Sequence, residues 1–253
     1  MISMENNQRS LGWFRARLGN VTGSRCGDLM KAGRRKDETF GETAKSYIMQ
    51  LAAERMMNPA IVNDDELFAQ YVECTSVTSK ALRFGTEQEG AARKLFSKVA
   101  GVEVVEPSSC RHDTVPHFAA SPDGLIPGSD GKPLACVEIK CPNIDTFIRY
   151  TGIHDGASLK DINPQYYWQV QAEMSCTGTE LCYFVAYSPW LLRPLHVAQI
   201  RRDAEDERRL LDRIIMANEL IDILLNGKET ANLPRIFDCL HKGAADAAVG
   251  LAQ

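Results

Sequence analysis

The chain has 253 residues, of which 44% are hydrophobic and 25% charged, and its formal net charge at neutral pH is −4. That length suits one large domain, because a chain of this size hides roughly three quarters of its unfolded surface. The composition is that of a globular protein and excludes a collagen-like, low-complexity or strongly charged disordered chain.

The cysteines and the apolar stretches exclude further classes. No Cys-x-x-Cys pair occurs among the eight cysteines, which argues against a zinc ribbon. The first residues lack the apolar core of a signal peptide. The longest uncharged apolar stretch, residues 181–192, contains Pro189 and is too short to cross a bilayer. We therefore predict a cytoplasmic protein with reduced thiols, most of them buried as small hydrophobic side chains.

Charge is distributed unevenly. Residues 1–36 contain eight basic and two acidic side chains, a net charge of +6, which leaves −10 for the remainder. Two interpretations stand: a solvated flexible arm, or a segment that grips phosphate. Composition alone favours the arm by a small margin.

Apolar periodicity predicts helices in the first hundred residues. Proline cannot continue a helix, so the first helix should stop at Asn58-Pro59. The last has a candidate N-cap at Thr78 and a stop at Gly101, and Glu89 falls near its middle. The predicted helices cover residues 44–52 with their flanks, 64–72 and 78–99.

The period then becomes typical of strands. A turn-rich segment, residues 127–133, should separate two of them. The last long amphipathic helix, about residues 204–226, should stop at Asn226-Gly227, and the tail from Gly243 on should be disordered. This order predicts an α/β or α+β domain with a mixed sheet covered by helices. The predicted strands cover 102–105, 110–120, 123–126, 134–139, 181–187 and 195–200, with a helix over 165–176.

Two short motifs have the residue types for chemistry: P-D-G at 122–124 and E-I-K at 138–140. Alternate residues of a strand share a face, so Glu138 and Lys140 should project to one side while Ile139 points into the core. Asp123 opens the neighbouring predicted strand, so its carboxylate can reach the same point.

Such a cluster suits phosphodiester hydrolysis. Carboxylates hold Mg²⁺, which acidifies a bound water and neutralises phosphate charge, and a lysine orients the water or stabilises developing negative charge. An isolated E-x-K is better explained as an incidental pair at an exposed strand end, because such tripeptides are common. The P-D-G motif upstream, at a workable spacing, reverses that preference and makes the cluster a candidate magnesium-dependent nuclease site.

These motifs resemble the PD-(D/E)xK nuclease superfamily, and within it most closely the lambda exonuclease or viral alkaline exonuclease group. The two central segments read S-P-D-G-L at 121–125 and E-I-K-C-P at 138–142. Four more agree in order and approximate spacing, so the resemblance covers about residues 13–190. They are W-F-R-A-R-L-G-N-V-T-G-S at 13–24, F-G-T-E-Q-E at 84–89, Q-V-Q at 169–171 and A-Y-S-P at 186–189.

The resemblance implies a restriction-endonuclease-like α/β core, a central mixed sheet flanked by helices, and a metal site. Asp123 and Glu138 would be metal ligands, with the backbone carbonyl of Ile139 beside them. Glu89 would add a carboxylate directly or through water. The implied metal is Mg²⁺, one or two ions, with Mn²⁺ able to substitute.

The resemblance also implies roles beyond the metal. Lys140 would position the attacking water, and Gln169 would contact the nucleophile or the scissile phosphate. Arg17, Ser24 and Ser121 would grip the terminal 5′-phosphate, a task suited to a planar guanidinium fork and two hydroxyls.

Each of these residues also has a plainer interpretation. Glu89 could be a solvated helix acid, and Gln169 an ordinary polar position beside aromatic residues. Arg17 could pair with a surface acid, Ser24 could cap a helix and Ser121 could cap a turn.

Some superfamily members carry a Q-x-x-x-Y motif and an iron–sulfur cluster held by four cysteines. Here Glu173 follows Gln169 by four and the cysteines are scattered, so no cluster is predicted.

The resemblance implies a 5′→3′ exonuclease on linear double-stranded DNA that releases mononucleotides and leaves 3′ single-stranded tails. Members are phage-type recombination enzymes that act in the bacterial host cell, assemble as ring-shaped homotrimers and work with a single-strand annealing protein. We expect one nuclease domain over residues 1–253, with a phosphate-gripping segment at about 9–36, a catalytic core at about 78–200 and a C-terminal helix at about 204–226. Two rivals remain open: a site- or structure-specific endonuclease of the same superfamily, and a DNA-end-binding module with a decayed site.

Overall fold

A computed structural model describes residues 8–35, 38–76 and 79–226. The first part contains α1 Leu11–Arg17, β1 Val21–Thr22, a 3₁₀ turn Gly23–Arg25, α2 Cys26–Leu29, α3 Glu42–Arg55, α4 Pro59–Asn63, α5 Asp65–Thr75 and α6 Lys80–Ala100. The second contains β2 Cys110–Arg111, β3 Phe118–Ala120, β4 Gly124–Pro127, β5 Pro133–Lys140, α7 Ile144–Tyr150, α8 Gly156–Ile162, α9 Pro164–Thr177, β6 Leu181–Tyr187, β7 Leu195–Arg201 and α10 Ala204–Asn226.

The larger sheet has the strand order β4-β5-β6-β7 and is mixed. Strands β4 and β5 are antiparallel, β5 and β6 are parallel, and β6 and β7 are antiparallel. Both inner strands are mostly buried apolar runs, as strands covered on two faces require. The smaller sheet, β1-β3-β2, pairs β1 parallel to β3 and β2 antiparallel to it.

Helices cover both faces of the larger sheet. Alternate residues of β5 face opposite sides of the sheet. Val137 and Ile139 pack with Ala92 and Phe96 of α6 on one side. Cys136 packs on the other side, in the main core with α9. Helix α9 is buried along most of its length. The α/β fold class, with mixed sheet and flanking helices, is therefore as predicted.

Local signals explain where α9 and α6 begin and end. The Asn163 side chain accepts from the backbone N–H of Tyr166, and Pro164 follows at the first helical position, where it loses no hydrogen bond. Each helix stops at a glycine in the left-handed region, Gly178 at φ 68° and Gly101 at φ 67°. Thr78, the predicted N-cap of α6, lies outside the described residues, and the cap is Ser79.

Two predicted strands are wrong. Residues 102–105 form a single bridge, between Val105 and Leu125, because Pro107 and the turn at Gly101 leave too little extended chain to pair further. The predicted strand over 110–120 is two strands, β2 and β3, with a turn between them. His112 closes that turn, since its Nδ1 accepts from the backbone N–H of Val115 at 3.0 Å.

The basic N-terminal segment is folded where the structure describes it. Residues 8–35 contain two helices and a strand, and Val21 of β1 is fully buried. The preference for a flexible arm is therefore wrong, because pairing of β1 with β3 and burial of α2 fix the segment. Lys36 and the tail from Gly243 lie outside the described residues.

The described helices include none with the length and apolar character to span a membrane. Five of the seven free cysteines in the described chain are buried, as predicted, and Cys239 lies outside it. The first predicted helix ends at Arg55, three residues before Asn58, and Pro59 instead begins α4.

Candidate active site

The pairing of β4 with β5 brings the P-D-G and E-I-K motifs together. Gly124 pairs with Val137, so Asp123 lies beside the position of Glu138. The Asp123 Oδ2 accepts the backbone N–H of Ile139 at 2.7 Å, and the Lys140 ammonium donates to Glu138 Oε1. Both carboxylates are more than nine-tenths buried. Acid and lysine thus project to one side of β5 while Ile139 points into the core, as the strand period predicts.

Gln169 joins this cluster from α9. Its Nε2 donates to Glu138 Oε1 at 2.6 Å and to Glu173 Oε1 at 2.9 Å, and its Oε1 accepts from the Lys140 ammonium at 3.4 Å. The plainer interpretation, an ordinary polar helix position, does not fit a buried amide that bonds to Glu138, Glu173 and Lys140. Glu173 is a further buried carboxylate, which sequence reasoning noted only as a departure from the Q-x-x-x-Y motif.

Glu89 faces the same region from α6. It lines an open cleft together with Ile139, Lys140 and Tyr166. Its two carboxylate oxygens accept from Arg9 Nη2 at 2.8 and 2.9 Å, so it is not a merely solvated acid. Arg9 is a residue that the sequence showed only as one charge among eight, because nothing local connects it with a helix eighty residues away.

Negative charge dominates the cluster. Burial, followed by the charge of Glu138, raises the pKa of Asp123 well above its usual range, and the same two causes raise the pKa of Glu173. Burial also raises the pKa of Glu89, against the opposing effect of Arg9. Burial alone would lower the pKa of Lys140, but the charges of Glu138, Tyr166 and Asp123 outweigh it and the net change is upward.

These residues fit a hard divalent cation. Glu138 Oε2 is buried and has no hydrogen-bond partner within the described chain, although its neighbour Oε1 accepts two bonds. A carboxylate oxygen left this way is costly unless a cation or water meets it. Asp123, Glu138, Glu89 and the carbonyl of Ile139 offer oxygen ligands only, which suits magnesium or manganese.

A second group of possible ligands lies deeper. The ligand atoms of Cys136, Glu173 and Cys182 lie within 4.8 Å of one another, and all three residues are buried. Two of these three residues offer sulfur ligands, which suit softer metals, whereas magnesium takes oxygen ligands. The hard-ion site at Asp123 and Glu138 therefore fits a catalytic metal better.

Three elements bring the predicted phosphate-binding residues together. Arg17, at the end of α1, donates through Nη1 to Ser121 Oγ and through Nη2 to Ser24 Oγ, each at 3.3 Å. Trp13 contacts two of these residues. Its indole N–H donates to Ser121 Oγ at 3.1 Å, and its ring centre lies 4.2 Å from the guanidinium carbon of Arg17.

The plainer interpretations of these three residues do not hold in the described chain. No ion pair joins Arg17 to an acid there, and the Ser24 side chain makes no helix-capping bond. Ser121 bonds across to α1 rather than to its own turn.

The 3₁₀ turn that carries Ser24 is fastened to α9. The side-chain amide of Gln165 donates to the Ser24 carbonyl at 2.9 Å. Gly27, in α2, lies so close that a methyl group there would come within 2.9 Å of the Gln165 backbone. The turn that carries Ser24 is therefore attached to α9, the helix that also carries Gln169.

Residues 12–180 match the family described as the YqaJ-like viral recombinase domain. The chain belongs to this family. No curated protein is similar enough to count as a match.

Solved structures agree with the YqaJ-like assignment. The alkaline exonuclease LHK-Exo from Laribacter hongkongensis is 26% identical, with a TM-score of 0.66 over 94% of this chain and 100% of its own. Its complex with dAMP gives 25% identity and the same TM-score and coverage. A phage related exonuclease from Haemophilus somnus 129PT, at 15% identity and TM-score 0.61 over 82% of this chain and 96% of its own, supports the fold alone.

The predicted family and class are thereby confirmed. The chain is a nuclease of the lambda exonuclease and alkaline exonuclease group of the PD-(D/E)xK superfamily, with the α/β core that this group implies.

Proposed function

We propose that this YqaJ-like protein is a Mg²⁺-dependent 5′→3′ exonuclease on linear double-stranded DNA. It releases mononucleotides and leaves 3′ single-stranded tails for recombination by strand annealing. The convergence of Asp123, Glu138 and Lys140 at one end of the sheet carries the proposal, together with the Glu138 Oε2 atom, which has no hydrogen-bond partner among the described residues.

Asp123, Glu138, Glu89 and the Ile139 carbonyl are the residues that would hold the metal. When bound, one or two Mg²⁺ ions supply an acidified water and neutralise charge on the phosphate, and Mn²⁺ has the coordination chemistry to substitute.

Lys140 acts on the nucleophile and on developing charge. Its ammonium donates to Glu138 and Gln169 and lies 4.3 Å from the centre of the Tyr166 ring, so its position is fixed from three sides. Held in this way, the ammonium can donate to the attacking water or to negative charge that develops on the phosphate. The Gln169 amide bonds to both side chains and so fixes the position of Lys140 relative to Glu138.

The polarity of digestion follows from the proposed phosphate pocket of Arg17, Ser24 and Ser121. A guanidinium and two hydroxyls can surround a terminal phosphate and reward a free phosphorylated end. Ser121 is two residues from Asp123 along the chain, so a strand held by its 5′-phosphate would have its first phosphodiester bond near the carboxylates. Both facts support cleavage from the 5′ end.

The net charge of the chain bears on the proposed assembly. We propose one nuclease unit over residues 1–253 that acts in the host cell, forms a homotrimeric ring around DNA and hands its product to an annealing protein. A ring would reconcile the net charge of −4 with retention of DNA, because enclosure and not overall attraction keeps the substrate bound.

Digestion of end-labelled linear duplex with Mg²⁺ tests the activity. We expect 5′ label to appear first as mononucleotide, 3′ label to remain on long single strands, and circular plasmid to stay intact.

Two other results would replace this proposal with a named rival. Nicking of the circle would support the endonuclease alternative. Binding of duplex ends with no hydrolysis in Mg²⁺ or Mn²⁺ would support an end-binding module.

A further inference from the structure

An exposed aromatic pair forms one wall of the active-site cleft. Trp190 lies in the loop between β6 and β7, and 69% of it is exposed. Its ring lies nearly parallel to that of Phe84 of α6, with an interplanar angle of 12° and ring centres 6.1 Å apart. Both residues line the cleft that also contains Glu89, Ile139 and Lys140.

The loop is built to hold Trp190 in place. The backbone N–H of Ser188 donates to the Pro194 carbonyl at 2.8 Å and closes the loop. The side chain of Leu191 packs against the main core, which anchors the loop beside Trp190. Phe84 contacts the indole from one side, and 69% of Trp190 is exposed, so most of its surface is accessible to a ligand.

We infer that Trp190, backed by Phe84, is a stacking site for an unpaired nucleobase of the DNA substrate. The inference rests on the proposed function, because the groups proposed to cut the phosphodiester bond lie in the same cleft. A nucleotide whose bond reaches Lys140 and Glu89 brings its base into that cleft. Every base has a π face, so a flat aromatic surface binds any sequence, as an exonuclease requires.

The charges around the pair fit this occupant. Lys80, at the start of α6, lines the same cleft, and its ammonium can meet a backbone phosphate next to the stacked base. Arg9 also lines the cleft, but its guanidinium already donates to Glu89. The rings of Trp190 and Phe84 line the cleft. Leu192 lies in the same loop as Trp190 and is fully exposed, but it does not line the cleft. Leu192 is therefore a matched control within one loop.

Binding measurements on the full chain can isolate the stacking. Affinity for fluorescent duplex ends is measured with Ca²⁺ in place of Mg²⁺, using Trp190→Ala, Trp190→Phe, Leu192→Ala and the wild type. We expect Trp190→Ala to weaken binding by about 5- to 150-fold, the range for loss of one base–aromatic stack, Trp190→Phe to lose less, and Leu192→Ala to match the wild type.

Abasic substitutions identify the base. An abasic site is placed at each terminal position of either strand in turn. At the stacked position the wild type should lose the same factor as Trp190→Ala does on intact DNA, and the variant should lose nothing more. Wild-type affinity for Trp190→Ala on intact DNA would overturn the inference. A wild type that loses the same affinity wherever the abasic site is placed would also overturn it. So would a loss of affinity in Trp190→Ala that accompanies a changed oligomeric state in light scattering.

Digestion by the wild type distinguishes a failure of the stacking site from a failure of the proposed function. A wild type that does not degrade DNA would remove the proposed function together with the stacking site. A wild type that degrades linear duplex, while Trp190→Ala binds and digests it equally well, would remove the stacking site alone.

Discussion

Lys140 is held by more partners than an incidental strand lysine would have. The carboxylate of Glu138, the amide of Gln169 and the ring of Tyr166 surround its ammonium, and the net effect of its surroundings raises its pKa. A fixed, permanently charged donor at this point has its greatest effect where negative charge develops during hydrolysis.

Lys140→Ala should therefore reduce Mg²⁺-dependent cleavage of linear duplex by about 100-fold or more, the scale for loss of one preorganised donor. Initial rates with saturating metal measure the effect. Lys132→Ala is the matched control, because Lys132 is exposed in the turn between β4 and β5. Full activity of Lys140→Ala would show that the mechanism is wrong even though the fold is right.

Arg17 should control the response to the chemistry of the DNA end. Replacing it with alanine removes charge-assisted hydrogen bonds to a terminal phosphate, so we expect the preference for 5′-phosphorylated over 5′-hydroxyl duplex to fall by about 10- to 100-fold. Competition digests of the two substrates give the ratio. Arg34→Ala, an exposed change in the same basic segment, should leave the ratio unaltered. Equal slowing on both ends would remove the pocket assignment.

The residues most accessible to sequence reasoning were those in short motifs. Asp123, Glu138 and Lys140 could be placed together because strand period and adjacency are local properties. Arg9 and Glu173 could not: one reaches the site through a contact with Glu89 across eighty positions, and the other looks like any helix acid until the sheet buries it.

Among the elements, α6 carries a catalytic candidate on a well-defined frame. Ser79 Oγ accepts the backbone N–H of Leu82 at 3.1 Å and caps the helix that presents Glu89.

Ser79→Ala should lower the free energy of unfolding by about 1 kcal/mol, the usual cost of removing an N-cap oxygen, and Ser79→Asp should preserve it. Urea unfolding followed by circular dichroism provides the measurement. Equal stability of the alanine and aspartate variants would mean that the cap does not contribute to stability.

Elements with a strong period were predictable and short ones were not. Strand β6 is a continuous apolar run, and its predicted bounds, 181–187, are those observed. Helices α7 and α8 each have seven residues, too few to show a period, and depend on caps by Asn143 and Asp155. Strand β1 has two residues and exists only because β3 pairs with it, which no local pattern reveals.

For the molecule as a whole, metal binding should stabilise the fold. Buried carboxylates that repel one another gain a counter-charge, and a ligand at about 100 times its Kd adds about 2.7 kcal/mol. Saturating Mg²⁺ should therefore raise Tm relative to EDTA by roughly 5–10 °C. Asp123→Asn should reduce this gain, whereas Asp161→Asn, an exposed change on α8, should retain it. An identical gain in Asp123→Asn would place the stabilising ion elsewhere.

Buried Glu173 should also make stability depend on pH. Its pKa in the folded protein is raised above the ordinary 4.5, so the folded state keeps a proton that the unfolded state releases. The wild type should therefore lose stability as pH rises above about 4.5, by up to about 1.4 kcal/mol per pH unit from this group.

Glu173→Gln keeps the acceptor for Gln169 and removes this loss. In urea unfolding with EDTA, the advantage of the variant over the wild type should be smallest near pH 4 and grow as pH rises. Glu103→Gln, an exposed change, should follow the wild-type curve. Parallel curves for Glu173→Gln and the wild type would contradict the raised pKa.

The attachment of the Ser24 turn to α9 also affects where a bound DNA strand would be cut. The bond from Gln165 and the close approach of Gly27 fix the position of Ser24, one of the three residues of the proposed phosphate pocket, relative to the helix that carries Gln169. A strand seated by its terminal phosphate would then meet the cutting groups at a constant offset along its backbone. The fold would work as a ruler, so that fragment length is set by protein geometry and stays the same on every DNA sequence.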